Sequence, residues 1–191
     1  MRKVFFYISA LLLAAPILSS CGDDDDKDED NSRTTWDKYA EYREGNITWV
    51  NQEEARTNPD GTPYFQRLTA PWNINSYILI HWFNDRSETA ENLVPLYTST
   101  VATRYVGRNF AYQVFDADST STNGTTLAVN GVIEGWQLAL QNMHVMDTVE
   151  IVIPYQLAYG SSTASSLIPP YSALRFNMRL LDIPSYEIQP E

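Results

Sequence analysis

Beyond an N-terminal extension, one short internal helix stands among many strands in this chain, and that ratio limits the folds open to it. In "VIEGWQLALQNM", residues 132–143, Trp136, Leu140 and Met143 recur at i, i+4 and i+7, with Ile133 three residues before Trp136. That is the apolar stripe of a short amphipathic helix. Strand-like runs surround it: "PYFQRLT" 63–69, "SYILIHWF" 76–83, "YTSTVATRYVG" 97–107, "TVEIVIP" 148–154 and "SALRFNMRLLDI" 172–183. Turn chemistry separates them at "NPDG", 58–61, and at "DADSTSTNGTT", 116–126, while residues 84–96 read as a polar loop. No internal repeat is visible. The pattern predicts an α+β fold, an antiparallel β-sheet wrapped around one short helix.

Composition narrows the chemistry. A hydrophobic fraction of 43% over 191 residues suffices for one core. The net charge of −11, without a Lys/Arg cluster, argues against nucleic acid as a partner. Two distant histidines, His81 and His144, and a single cysteine leave no Cys/His cluster for a metal and no intramolecular disulfide. The run from Asp116 begins like a calcium loop. Ser121 then stands where the tight turn needs Gly, and Leu127 where the last ligand should be Glu, so the motif fails. No serine lies in a nucleophile-elbow context.

The N-terminus is read separately. Arg2 and Lys3 precede an apolar run from Val4 to Leu18, too short for an ordinary membrane span. The "LSSC" that ends at Cys21 resembles the lipobox of bacterial lipoproteins, which implies a signal peptide over 1–20 and lipidation of Cys21. Residues 21–33 include "GDDDDKDEDNSR", a like-charged run expected to be a solvated tether. Acidic residues directly after the cysteine are similar to the surface-export signal of Bacteroidetes-type lipoproteins. A helix or broken helix is expected from about Thr35 to Ala55. Thr34 and Thr35 can cap it, Trp36, Tyr39, Ala40, Ile47 and Val50 share one face, and Gly45 is its weak point. It forms an N-terminal helical extension over 34–59, ahead of the main domain at 60–184 and a tail at 185–191.

The segments "VIEGWQLALQNM", "VEIVIPYQLAYG" and "LIPPYSALRFNMRLLDI" resemble, in order and spacing, the C-terminal half of an FKBP-type peptidyl-prolyl isomerase domain. Upstream, "RYVGRNFAYQVFD", 104–116, is similar to that family's strand-turn-strand, with Tyr-x-Gly at its start and Phe-Asp at its end. Carried over position by position, the resemblance implies a pocket made by Tyr105, Phe115, Asp116, Trp136, Tyr159 and Phe176, with Trp136 as its floor. Val132, Ile133, Leu167 and Ile168 join it as substrate-binding positions. It also implies that the Ile133 backbone N–H and the Tyr159 hydroxyl bond to ligand carbonyls.

The chain departs from the family in places. Ala164 stands where a loop histidine is common, and Met146 where the turn after the helix carries Gly. The aromatic on the strand before the helix is replaced, with Thr125 as its candidate successor. Residues 76–96 look inserted or rearranged.

From these readings the expected function is peptidyl-prolyl cis-trans isomerisation of exported polypeptides at the cell envelope. The expected protein is an outer-membrane lipoprotein, with surface exposure left open, that needs no cofactor and no metal. Two alternatives stay open: a non-catalytic binding module built on the same pocket, and a surface glycan-binding or assembly lipoprotein that uses Trp36, Trp49 and Trp72.

Overall fold

The computed structural model describes residues 33–187. The chain order is α1 (Thr35–Lys38), α2 (Ala40–Glu54), β1 (Gln66–Ala70), β2 (Asn73–Trp82), β3 (Thr100–Asn109), β4 (Val114–Asp118), β5 (Thr125–Ala128), α3 (Glu134–Leu140), β6 (Thr148–Ile153) and β7 (Leu174–Ser185). The strands form one antiparallel sheet in the order β1-β2-β6-β7-β3-β4. β5 shares the outer edge of β3 with β4: it pairs with Thr100 to Thr103, and β4 with Tyr105 to Arg108.

Period-2 alternation builds both faces of the sheet. Ile78 and Ile80 of β2, Val149, Ile151 and Ile153 of β6, and Leu174, Phe176, Met178 and Leu180 of β7 belong to the inner core with Trp136, Leu138, Ala139 and Leu140 of α3. Leu79 and Val152 belong instead to an outer cluster with Trp49 and Val50 of α2. The central strands are thus covered on both sides, and β6 is buried from Val149 to Ile153. Helix α3 lies close on the sheet because Gly135 lacks a side chain. A Cβ there would stand 2.4 Å from Ile153 Cγ2.

The N-terminal helix forms where expected, with two differences. It is interrupted at Tyr39, not weakened at Gly45, which stays inside α2 with open space around it. Thr34 and Asp37 make a reciprocal capping box at its start. Its buried residues are Arg43, Asn46, Trp49, Val50 and Glu53, a stripe three-fifths polar. Each polar member is anchored. Arg43 donates to the Trp36 carbonyl at 2.6 Å and its guanidinium stacks 3.3 Å over the Trp36 ring. Asn46 accepts from the Ala173 N–H at 2.8 Å and donates to the Tyr42 carbonyl. Glu53 meets Arg175 of β7, which also contacts Glu150 of β6 at 3.2 Å.

Residues 76–82, in the stretch that looked inserted or rearranged, form most of β2, between β1 and β6. The segment after them is irregular, with one 3-10 turn at Arg86–Glu88. It is tied down by the fully buried Asp147, which accepts from Thr89 Oγ1 at 2.6 Å, Asn84 Nδ2 at 2.9 Å and the His144 N–H at 2.8 Å. Arg86 pairs with the same carboxylate at 3.4 Å. Met146, at the position where a glycine is common, adopts φ +79° and donates its N–H to the Leu180 carbonyl at 2.7 Å. Cys21 and the acidic run after it lie outside the described residues.

Candidate functional site

A cavity of about 260 Å³ opens on the inner face of the sheet. It is lined by Tyr105, Phe115, Asp116, Leu127, Gly131, Val132, Ile133, Trp136, Tyr159 and Phe176. Eight residues singled out from the sequence therefore converge here from β3, β4, β7, the start of α3 and the loop after β6.

Its walls are an edge-to-face aromatic cluster. Trp136 lies 5.1 Å from Tyr105 and 5.1 Å from Phe176, with interplanar angles of 87° and 88°. Phe115 packs on Phe176 at 5.5 Å and 87°. Such geometry sets the positive edge of one ring on the negative face of the next. The Tyr-x-Gly of β3 now has a physical reason. Gly107 is the register partner of both Asp116 and Phe176. A Cβ on it would come within 2.7 Å of both the Phe115 and Phe176 rings, so only glycine lets them close over the strand.

Polar groups are few. Tyr105 donates its hydroxyl proton to Asp116 Oδ2 at 2.8 Å. Burial, then this hydrogen bond, then the charges of Asp116 and Asp118, push the Tyr105 pKa up to about 12, so its phenol is neutral at ordinary pH. Tyr159 is 42% exposed, and its hydroxyl has no hydrogen-bond partner among the described residues. The Ile133 N–H, just ahead of α3, also donates to no described acceptor. One hydroxyl and one backbone N–H are thus free at the rim of an aromatic slot. Among the described residues, no three His, Cys, Asp or Glu side chains group to hold a metal ion.

Two expected positions fall elsewhere. Ile168 is buried in the inner core at 4% exposure and Leu167 is half-buried, and neither lines the cavity. The reason is local. The Leu167 carbonyl accepts from Asn109 Nδ2 at 3.1 Å, and Ile168 bonds back to Ser165 and Ala164, so this end of the loop is stapled to β3. Two lining residues, Leu127 and Gly131, were not anticipated. Leu127 of β5 supplies the apolar wall, whereas Thr125 turns its hydroxyl to Asp118 at 2.7 Å. The apolar residue in "TTLAVNG" was the available signal.

Comparison with known proteins gives the chain's relatives in sequence and in fold. Residues 95–181 match the family model described as FKBP-type peptidyl-prolyl cis-trans isomerase. The chain is 40% identical over 93 residues to the FKBP-type 22 kDa peptidyl-prolyl cis-trans isomerase of Escherichia coli, covering 49% of this chain and 45% of that protein. It is 34% identical over 86 residues to the outer membrane protein MIP of Legionella longbeachae, covering 45% of this chain and 37% of that one. The chain thus spans less than half the length of these curated relatives. A crystal structure of a peptidyl-prolyl cis-trans isomerase from Pseudomonas syringae superposes with a TM-score of 0.61 and 28% identity, over 76% of this chain and 95% of that one. The likeness to FKBP-type peptidyl-prolyl cis-trans isomerases thus runs in sequence over residues 95–181 and in fold over 76% of the chain.

Proposed function

We propose that this domain is a peptidyl-prolyl cis-trans isomerase. The observation that carries the reading is an aromatic slot lined by no serine, cysteine or histidine, edged by a free hydroxyl and a free N–H. Rotation about an X–Pro bond needs no acid, base or metal. The barrier, roughly 18–20 kcal/mol, comes from amide conjugation, and uncatalysed exchange takes tens of seconds or more. Conjugation is lost in the twisted state, and the bond becomes less polar. An apolar slot therefore favours the twisted state over the planar amide, which water solvates better. Each ~1.4 kcal/mol of such preference is about tenfold in rate. The free groups of Ile133 and Tyr159 would hold the client's carbonyls while the proline ring occupies the slot.

The clients on this reading are exported polypeptides, and the site of action is the cell envelope. Support comes from the export signal and lipobox-like Cys21 in the sequence. Lipidation at Cys21 followed by a tether would hold the domain at an outer membrane, with the acidic run as a surface-export signal. Stable anchoring takes more than one acyl chain. Cys21→Ala should therefore shift the protein from the membrane fraction to the soluble one, and unchanged fractionation would contradict the anchor. The enzymatic reading is tested by turnover of a prolyl tetrapeptide, together with Trp136→Leu.

A further inference from the structure

A second cavity, of about 140 Å³, lies between α2 and the sheet. Its lining contains no charged residue. The floor is apolar, with Ile47 and Val50 of α2 and Leu157 of the 3-10 turn Tyr155–Leu157. Around the rim stand Asn51, Asn75 and Gln156, whose side-chain amides make no hydrogen bond to any described residue. Each amide offers donors and an acceptor together, the same set that a peptide backbone presents.

The sheet-side segments around it are also uncharged, although the ring of Tyr77 in the lining is covered by Arg67 at 4.0 Å and its hydroxyl donates to Glu54 at 3.3 Å. No Asp, Glu, Lys or Arg occurs from Leu68 to Asn84 or from Ile151 to Leu174, in a chain with 24 acidic and 13 basic residues. The hairpin that supplies Asn75 exposes Trp72 at 55% and Ile74 at 84% on its turn side. Gln156 lines this cavity, and Tyr159, three residues on, lines the aromatic slot. The segment 155–159 is therefore a wall common to both cavities. An extended chain covers about 3.3–3.6 Å per residue, so Gln156 and Tyr159, three residues apart, are separated by at most about 11 Å, and about three to five client residues would bridge the two cavities beside them.

The geometry points to a second polypeptide subsite here: an uncharged, extended stretch of the same client, with one apolar side chain seated on Ile47, Val50 and Leu157 and its backbone paired by the free amides. This rests on the isomerase reading of the aromatic slot and adds the class of client, prolyl segments with an uncharged apolar residue about three to five positions from the proline. A volume of 140 Å³ suits one side chain and not a whole small-molecule ligand. A charged side chain is disfavoured because no residue of the lining itself carries a counter-charge.

Side-chain amide signals of the 15N-labelled full chain test this directly. Three probes are titrated: an uncharged decapeptide with Leu four residues from its proline, the same peptide with Asp in place of that Leu, and a prolyl tetrapeptide. The Asn51, Asn75 and Gln156 amide signals should move with the Leu decapeptide alone, and its Kd should be about tenfold tighter than the tetrapeptide's, or ~1.4 kcal/mol. Gln156→Asp and, separately, Asn51→Asp should abolish that advantage; both positions are exposed, so folding is retained. Still amides, or equal Kd for all three probes, would overturn the subsite. Movement with a neutral oligosaccharide such as maltohexaose, and none with the decapeptide, would overturn it too. Signals of Trp136 and Tyr159 report the slot independently. If they ignore every peptide while the three amides respond, the slot reading fails and the subsite stands.

Discussion

Arg175 and Phe176 are neighbours on β7 and leave the sheet on opposite faces. Arg175 meets Glu53 of α2 at 2.5 Å, and Phe176 packs on Trp136 with ring centroids 5.1 Å apart. The helix on the outside and the cavity on the inside thus share one stretch of backbone. α2 also grips the β3–β4 turn that leads to Phe115 and Asp116. Tyr112, at φ +61° in that turn, donates to Glu53 Oε1 at 3.1 Å and packs edge-to-face on Trp49.

Replacing Arg175 should be costly. Its side chain is 9% exposed, between Glu53 and Glu150 at 10% and 8%. Arg175→Met keeps the bulk but leaves two nearly buried carboxylates without their shared cation. Removing one partner of a buried pair typically costs about 3–5 kcal/mol, and urea unfolding should show a loss in that range. Glu53→Gln should cost less, because Arg175 keeps Glu150.

Gly107→Ala tests the aromatic closure. One methyl would meet both the Phe115 and Phe176 rings inside van der Waals distance. Overpacking of this kind costs about 1–3 kcal/mol. The folded variant should lose at least about tenfold in kcat/KM, the equivalent of ~1.4 kcal/mol at the transition state. Undiminished activity would mean that contact between the two rings is immaterial.

Acid should act through Asp147. Burial alone would raise its pKa, but hydrogen bonds from Thr89, Asn84 and the His144 N–H, with the Arg86 charge, hold it below its ordinary value. A depressed folded-state pKa gives stability that is fully present above the unfolded value of about 3.9 and is lost as pH falls through the lower folded value. Asp147→Asn should therefore destabilise the protein at pH 7 and flatten the acid limb below about pH 4 in thermal melts. An acid limb identical to wild type would contradict this.

Most of the sheet was legible because its strands alternate. "TVEIVIP" placed β6, and the i, i+4, i+7 stripe through Trp136 placed α3. Strand β5 was missed because four residues, Thr125–Ala128, are too few to show a period, and their pairing with β3 is set at long range. The buried face of α2 was hidden for a different reason. Arg43, Asn46 and Glu53 look solvent-facing in any hydropathy pattern, and their partners Trp36, Ala173 and Arg175 are known only once the chain is folded. At the cavity, the resemblance to the isomerase family pointed to Tyr105, Phe115, Trp136, Tyr159 and Phe176. It could not show that Leu167 and Ile168 are drawn away by Asn109 and Ser165, or that Leu127 fills the wall left without an aromatic.

The most direct test is kcat/KM on a prolyl tetrapeptide for wild type, Tyr159→Phe and Trp136→Leu, each verified as folded by near-UV circular dichroism. Wild type should turn over, with a rate nearly flat from pH 6 to about pH 9, since no histidine lines the cavity and Tyr105 titrates near 12. Tyr159→Phe removes one neutral hydrogen bond of about 0.5–1.5 kcal/mol and should slow the rate roughly two- to twelvefold. Trp136→Leu, which keeps an apolar floor but loses the ring that Tyr105 and Phe176 pack on, should be slower still. A folded wild type without turnover, or a Trp136→Leu variant with full activity, would contradict the account.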